Sequence, residues 1–159
     1  PDTGVVRHIG PDFGAAPEGG HYTSIAAATN GCLYCPPCGP GHVLKIDSTS
    51  GQVSEIGPRF EDEDQYVGIA LAKNGCLYAT PKTAERVLQI DPVSEEVTRI
   101  GDPVEPSLHT RDNMYLDDML SSRRAPHKLY VAPYTASYVL EVDPVSGAVR
   151  QIGPNLFEA

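Results

Sequence analysis

Hydrophobic positions along this chain fall into short runs that recur three times in the same order. Each copy has a Leu-Tyr pair, then a Val-Leu-x-Ile/Val-Asp run, then a segment that ends in Ile-Gly. The equivalent tyrosines are Tyr34, Tyr78 and Tyr130, so the copies are spaced by roughly 44 and 52 residues. Short apolar runs bounded by Gly and Pro are typical of β-strands. A helix is not expected, because no window keeps a 3.6-residue period without Gly or Pro.

Each copy divides into four predicted strands, a to d. Strand a is predicted at 22–28, 66–72 and 115–120, strand b at 31–35, 75–79 and 128–132, strand c at 43–46, 87–90 and 139–142, and strand d at 52–56, 96–100 and 148–152. Asn-Gly pairs predict tight a–b turns in the first two copies, and Asp-Pro begins the c–d turn in the last two. In strand d, Val53 and Ile56 are three residues apart, which predicts a bulge or a half-exposed outer strand.

Four-stranded repeats of this length are typical of β-propeller blades. The pattern Leu-Tyr, Val-Leu-x-Ile-Asp-Pro, Ser-Gly-x-Val resembles the repeats of the YVTN, PQQ-type quinoprotein and virginiamycin B lyase-like propellers. The resemblance implies an all-β fold: a β-propeller segment of three four-stranded antiparallel blades plus one outer strand of a preceding blade. Quinoprotein repeats usually end in Trp, and this chain has none, so the quinone cofactor is not implied.

The predicted units are 1–10 (an outer strand of a preceding blade), 21–57 (blade 1), 66–101 (blade 2) and 109–153 (blade 3). Residues 1–11 align without gaps on residues 144–154, which predicts that residues 4–9 form a lone strand d. Because propellers usually need four to eight blades, three cannot close a ring. Either further blades of the same polypeptide or other copies close it, and we favour the first.

Strand c should supply the core between blades. The predicted buried residues are Leu44, Leu88 and Leu140, together with Ile46, Ile90 and Val142.

Charge and the length of the apolar runs argue against two kinds of partner, nucleic acid and the membrane interior. The 12 basic and 21 acidic residues give a net charge of −9, which repels nucleic acid. No apolar run approaches the roughly 18 residues that span a bilayer, so direct membrane insertion is not expected. A secreted or organelle-lumen location is favoured over the cytosol, although the four cysteines do not settle the compartment.

The cysteine pattern leaves three alternatives open. Cys32, Cys35 and Cys38 precede His42 in a C-x2-C-x2-C-x3-H run, which resembles iron–sulfur ligation only superficially. Cys32 aligns with Cys76 as an ordinary strand residue, and sheets about 10 Å apart are too distant for a disulfide between these two. The remaining alternatives are unbridged thiols, a local Cys35–Cys38 disulfide, or a metal or redox site that adds His42.

In propellers, the d–a and b–c loops share one face, which usually binds ligands. The candidate residues there are Glu61, Asp62, Glu63, Asp64, His109, Arg111, Asp112, Tyr134 and Tyr138. The acidic run at 61–64 indicates a cation site or a docking patch for a basic partner, or simply a solvated linker.

Asp117 and Asp118 fall in the third strand a, where a carboxylate near the propeller axis is costly unless it is paired or hydrated. By resemblance to gluconolactonase-like or virginiamycin B lyase-like propellers, they could line a metal or act as catalytic acids; alternatively, the strand is irregular.

No cofactor is required, although a divalent cation would fit. The five histidines are scattered and no nucleophile elbow is present. We therefore expect a non-catalytic binding or scaffold module, such as an accessory subunit with protein partners. The alternative is a metal-assisted lyase or hydrolase.

Overall fold

The computed structural model describes residues 4–17, 20–62, 65–104 and 114–156. Over these ranges the chain forms twelve short strands and no helix. The strands are β1 (Ala26–Ala27), β2 (Cys32–Cys35), β3 (Gly41–Asp47), β4 (Val53–Phe60), β5 (Tyr66–Leu71), β6 (Leu77–Pro81), β7 (Val87–Ile90), β8 (Val97–Ile100), β9 (Leu120–Ser121), β10 (Leu129–Val131), β11 (Val139–Asp143) and β12 (Ala148–Ile152). No helix in the described ranges is long and apolar enough to cross a membrane.

Three separate four-stranded sheets contain all twelve strands. Their orders are β1-β2-β3-β4, β5-β6-β7-β8 and β9-β10-β11-β12. Every neighbouring pair is antiparallel. The predicted all-β fold is therefore confirmed: the chain is an unclosed segment of a β-propeller, and we call the three sheets blades 1, 2 and 3. The additional outer strand predicted at residues 4–9 is not formed, since these residues belong to no strand.

The tyrosines that mark the repeat occupy equivalent places in the three sheets. Tyr34, Tyr78 and Tyr130 each lie on the second strand and pair with Lys45, Gln89 and Glu141 on the third. Strand c forms at the predicted place in each blade, and Val87–Ile90 has the predicted limits. The outer strand β4 is largely exposed, which confirms the half-exposed alternative of the prediction. No bulge separates Val53 from Ile56, because the β3–β4 register is regular there and shifts only beyond Ile56, between Gly41 and Val43.

The prediction for the innermost strands was too long in blade 1 and misplaced in blade 3. Strand a of blade 1 covers only Ala26–Ala27, and that of blade 3 is Leu120–Ser121 rather than 115–120. The cause in blade 3 is visible in its hydrogen bonds. The Tyr115 hydroxyl donates to the Tyr138 carbonyl at 2.9 Å, and Asp118 bonds to blade 2. Residues 115–119 therefore join two blades instead of pairing within one.

The core lies between the blades and forms two clusters, one at each junction. Of the six predicted strand-c residues, Leu44, Leu88, Leu140, Ile90 and Val142 are buried. Ile46 is only half-buried, so that prediction was wrong. Its equivalents, Ile90 and Val142, each face a preceding blade, whereas no blade of the described chain lies on that side of Ile46.

The c–d turns are stabilised by the carboxylate that begins each of them. Oδ1 of Asp47, Asp91 and Asp143 accepts the backbone N–H two residues later at 2.8, 2.8 and 3.0 Å. Backbone hydrogen bonds of the turn lower the pKa of all three carboxyl groups, because they stabilise the ionised form. The largest cause is the Ser50 N–H for Asp47 and the N–H two residues later for Asp91 and Asp143. The repeated Asp in the sequence is thus explained by the Asx turn it makes.

Candidate functional site

At each junction between blades, a glycine near the end of the preceding segment fits against a valine of the next blade. The pairs are Gly10 with Val53, Gly57 with Val97 and Gly101 with Val149. A Cβ added to these glycines would lie 2.8, 2.5 and 2.4 Å from a valine side-chain carbon, closer than real Cβ contacts allow. Each glycine also has a positive φ, which favours Gly over any residue with a side chain. The Ile-Gly repeat of the sequence therefore marks the junctions between blades.

A second repeated contact links the a–b turn of one blade to the c–d turn of the next. The Asn74 side-chain amide donates to the Tyr78 hydroxyl at 2.8 Å and to the Pro144 carbonyl of blade 3 at 3.1 Å. In blade 1, Asn30 makes the same two bonds, to Tyr34 and to Pro92 of blade 2. These bonds link neighbouring sheets at their turns, outside the apolar core.

Blade 3 carries the same contact features on its outer side, but they are unfilled. Gly153 has a φ of +92°, and no atom of the described residues lies within 4 Å of the position of an added Cβ. Tyr130 is half-buried, although the equivalent Tyr34 and Tyr78 have exposed fractions of 0% and 1%. Val139 is also half-buried, while its equivalents in blades 1 and 2 are fully buried. We call the surface formed by Tyr130, Val139, Ile152 and Gly153 the open face of blade 3.

The loop face predicted from sequence has a cleft of about 430 Å³ beside blade 2. Its lining residues are Asp62, Gln65, Thr83, Ala84, Glu85, Arg86 and Arg99. Arg99 stacks over the Phe60 ring at 5.0 Å, and the Arg86 guanidinium donates to the Gly101 carbonyl. Both arginines therefore already have protein partners, and the cleft carries mixed charge.

Apart from Asp62, which lines the cleft, the predicted residues of this face that the structure describes do not lie together in one site. Glu61 and Asp62 are exposed, and Glu61 forms a 3.3 Å surface ion pair with Arg59. Tyr134 is 63% exposed, and Tyr138 is half-buried with its carbonyl bound by Tyr115. Glu63, Asp64, His109, Arg111 and Asp112 lie outside the described residues. Within the described ranges, no group of three His, Cys, Asp or Glu side chains could hold a metal ion.

Asp117 and Asp118 connect blade 3 to blade 2. The Ile69 N–H donates to Asp118 Oδ1 at 2.9 Å, and the Thr80 hydroxyl donates to the Asp117 carbonyl at 2.9 Å. Both bonds lie at a register shift in blade 2, where Gly68 packs so closely on the Asp117 carbonyl that an added Cβ would lie 2.4 Å from its oxygen. The Asp118 carboxylate thus satisfies an N–H at the β5 irregularity, a structural use that the sequence analysis did not foresee.

The four cysteines all lie in the described part of the chain, and no disulfide joins any of them. The structure therefore has no Cys35–Cys38 disulfide. Of the three alternatives, it shows the one with unbridged thiols. Cys32, Cys35 and Cys38 are buried. Burial raises the pKa of the Cys35 thiol to about 11, so little of it is the reactive thiolate near neutral pH.

Solved structures with the same fold differ widely in function. The chain is similar to the extracellular domain of BT4673 from Bacteroides thetaiotaomicron (17% identity, 88% of this chain and 17% of that chain, TM-score 0.62). It is also similar to virginiamycin B lyase from Staphylococcus aureus (14%, 82% and 40%, TM-score 0.57) and to an auxiliary nutrient binding protein from B. thetaiotaomicron (12%, 87% and 33%, TM-score 0.56). No protein-family model and no curated protein sequence matches the chain.

These comparisons define the class of protein rather than an individual activity. At identities of 17% or less they show the fold alone, and that fold is the one found from the sheets: the chain is a propeller-repeat protein. The chain spans 17%, 40% and 33% of the three matched chains, well under two thirds of each.

Proposed function

We propose that this chain is a non-catalytic binding or scaffold module of the propeller type that works as part of a larger assembly, for example as an accessory subunit. The observation that supports this role is the open face of blade 3. It repeats the contact surface that blades 1 and 2 use to hold their neighbours, but no described residue packs on Gly153, and Tyr130 is only half-buried.

The partner side of this interface can be inferred from the two filled junctions. Leu77, Leu88 and Ile90 of blade 2 pack on blade 1, and the equivalent Leu129, Leu140 and Val142 pack on blade 2. A protein that presents a sheet with branched aliphatic residues at these places, and a valine for Gly153, would bury the open face in the same way. Burial of apolar surface provides the free energy of such an association.

Sedimentation velocity over a range of concentrations tests this role. We expect the wild-type chain to associate without a fixed stoichiometry, since an uncovered apolar face recruits other surfaces. The double variant Tyr130→Lys/Val139→Lys should reduce the association, because it places charge on the open face. Val145→Lys is the matched control: Val145 is 78% exposed but lies in a turn away from that face. Equal behaviour of the double variant and the control would contradict the proposal.

The metal-assisted lyase or hydrolase is the second candidate. The fold similarity to virginiamycin B lyase motivates it, and Asp117 and Asp118 would be its first carboxylates to examine. Metal analysis of the purified protein separates the two candidates. The scaffold proposal expects no stoichiometric divalent cation, whereas one bound ion that is lost in an Asp118→Asn variant would favour the enzyme.

We also propose a secreted or organelle-lumen location. The similarity to an extracellular domain supports it. Fractionation of cells that express the full-length protein would test this proposal, and recovery from the cytosol would contradict it.

A further inference from the structure

Blade 2 contains a buried hydroxyl that has no partner among the described residues. Tyr66 begins β5 with an exposed fraction of 0%, and no described residue forms a hydrogen bond with its hydroxyl. Its equivalents in the other blades do have a partner. The Tyr22 hydroxyl donates to the His42 carbonyl at 3.1 Å, and the Tyr115 hydroxyl donates to the Tyr138 carbonyl at 2.9 Å. Because an unpaired buried hydroxyl is costly, the exception in blade 2 needs a physical cause.

The cleft of about 430 Å³ on the loop face lies next to this hydroxyl. Gln65, the residue before Tyr66, lines the cleft and is itself only 6% exposed. Arg99 also lines it. Burial raises the pKa of the Tyr66 hydroxyl, and the nearby Arg99 guanidinium partly offsets this rise. The unpaired hydroxyl therefore lies beside two residues of a cleft whose size is in the range of small-molecule sites.

Aromatic contacts orient Arg99 and leave its donors available. Arg99 Cζ lies 5.0 Å from the centre of the Phe60 ring, and the Phe60 and Tyr66 rings are nearly perpendicular with centres 5.7 Å apart. A guanidinium that stacks by its face keeps its N–H groups along the rim, where they match the two oxygens of a carboxylate. Arg86 donates to the Gly101 carbonyl and has further N–H groups. Within the described residues, no carboxylate forms an ion pair with either arginine.

Two acidic residues limit the charge of a ligand in this cleft. Asp62 and Glu85 line it together with the two arginines, and both acidic residues are exposed. These four residues leave little net positive charge, whereas the cost of removing an anion from water rises with its charge. The cleft therefore suits a singly charged anion better than a doubly charged one such as phosphate.

We propose that the cleft binds a small organic monocarboxylate, whose oxygens accept hydrogen bonds from the Arg99 guanidinium and the Tyr66 hydroxyl. The Arg99 side chain is exposed, so it can adjust to let the carboxylate reach the buried hydroxyl. This site goes beyond the proposed scaffold function and lies on blade 2, whereas the open face lies on blade 3. The effect of Tyr130→Lys/Val139→Lys on association is therefore independent of it, and either proposal can fail alone.

Titration of the intact chain with propionate tests the site. Nuclear magnetic resonance that follows the Arg99 Nε–H and the Gln65 amide should show saturable binding with a Kd of about 10 mM or below, which is within reach of a ligand this small. Propionamide, the uncharged analogue, and inorganic phosphate should each bind at least about tenfold more weakly. Absence of saturable binding by propionate would contradict the proposal, as would equal binding by propionamide or phosphate.

Three variants separate a built site from general attraction of anions. Arg99→Gln and Tyr66→Phe should each weaken propionate binding by about tenfold, because each removes a donor to the carboxylate. Arg124→Gln is the matched control, since it removes the same charge from an exposed residue in the a–b loop of blade 3. It should leave the affinity unchanged. Equal weakening by Arg124→Gln and Arg99→Gln would contradict the site.

The stability of the ligand-free protein tests the unpaired hydroxyl separately. Tyr66→Phe removes a hydroxyl without a described partner, so the midpoint of urea unfolding should stay unchanged or rise. Tyr115→Phe is the matched comparison: it loses the bond to the Tyr138 carbonyl and should lower the midpoint. A fall as large for Tyr66→Phe as for Tyr115→Phe would show that a bound water or another protein group already pairs with the hydroxyl. That result would overturn the proposal.

Discussion

Replacing Gly101 by Ala should destabilise the protein far more than the same change at Gly153. Both glycines follow the last strand of a blade, and both have a positive φ, +77° and +92°. An alanine in this left-handed region costs about 1–2 kcal/mol at either position. At Gly101 the new methyl would also meet Val149 Cβ at 2.4 Å, whereas at Gly153 it would meet none of the described residues within 4 Å. Overpacking of this kind adds about 1–3 kcal/mol.

The expected loss in the free energy of unfolding is therefore about 2–5 kcal/mol for Gly101→Ala and about 1–2 kcal/mol for Gly153→Ala. Urea unfolding followed by far-UV circular dichroism measures both, at a concentration where sedimentation shows the protein to be monomeric. Equal losses at the two positions would refute the assignment of Gly101 to a junction between blades and of Gly153 to an open face.

The remaining predictions concern the core, the turn contacts, the Asx turns and the thiols. Leu88→Ala should cost about 2–5 kcal/mol of unfolding free energy, because Leu88 has an exposed fraction of 0%; a loss below about 0.5 kcal/mol would contradict its place in the core. Asn74→Ala should cost about 0.5–1.5 kcal/mol through the lost hydrogen bonds to the Tyr78 hydroxyl and the Pro144 carbonyl; no loss in urea unfolding would contradict the repeated contact. The lowered pKa of the Asp91 carboxyl means that its contribution to stability is complete above pH about 4 and is lost as the pH falls through the folded-state pKa. Asp91→Asn should therefore weaken the decline of the urea midpoint between pH 5 and about 3, and an unchanged decline would argue against the turn. Titration of the denatured, unreduced protein should find four reactive thiols, and two would reveal a bridge.

The sequence predicts strands b, c and d well because their signals are local. Most are short apolar runs next to an Asn-Gly or Asp-Pro turn, and Val87–Ile90 and Ala148–Ile152 match their predicted limits. Strand a of blade 3 could not be placed in this way. Residues 115–119 bond to Ile69 and Thr80 of another blade, and such distant contacts leave no periodic pattern in the sequence.

The contacts between blades were missed for a related reason, although a signal for them was present. Each copy has Gly directly after the Ile of strand d and a Val within strand d, but nothing in one copy shows that the glycine contacts the valine of the next. Burial also depends on the neighbouring blade, so it differs between residues that are equivalent in sequence. Ile46 and Tyr130 resemble their buried equivalents in sequence and differ only in having no neighbouring blade in the described chain.

The direct test of the stacked, open arrangement is a nuclear Overhauser measurement on the side-chain amides of Asn30 and Asn74. In a dilute sample with labelled asparagine, the Asn30 amide protons should show contacts to Pro92 of blade 2, and those of Asn74 should show contacts to Pro144 of blade 3. These contacts join turns of different sheets and arise only if consecutive blades stack as described. Contacts confined to the sheet of each asparagine would contradict the propeller arrangement.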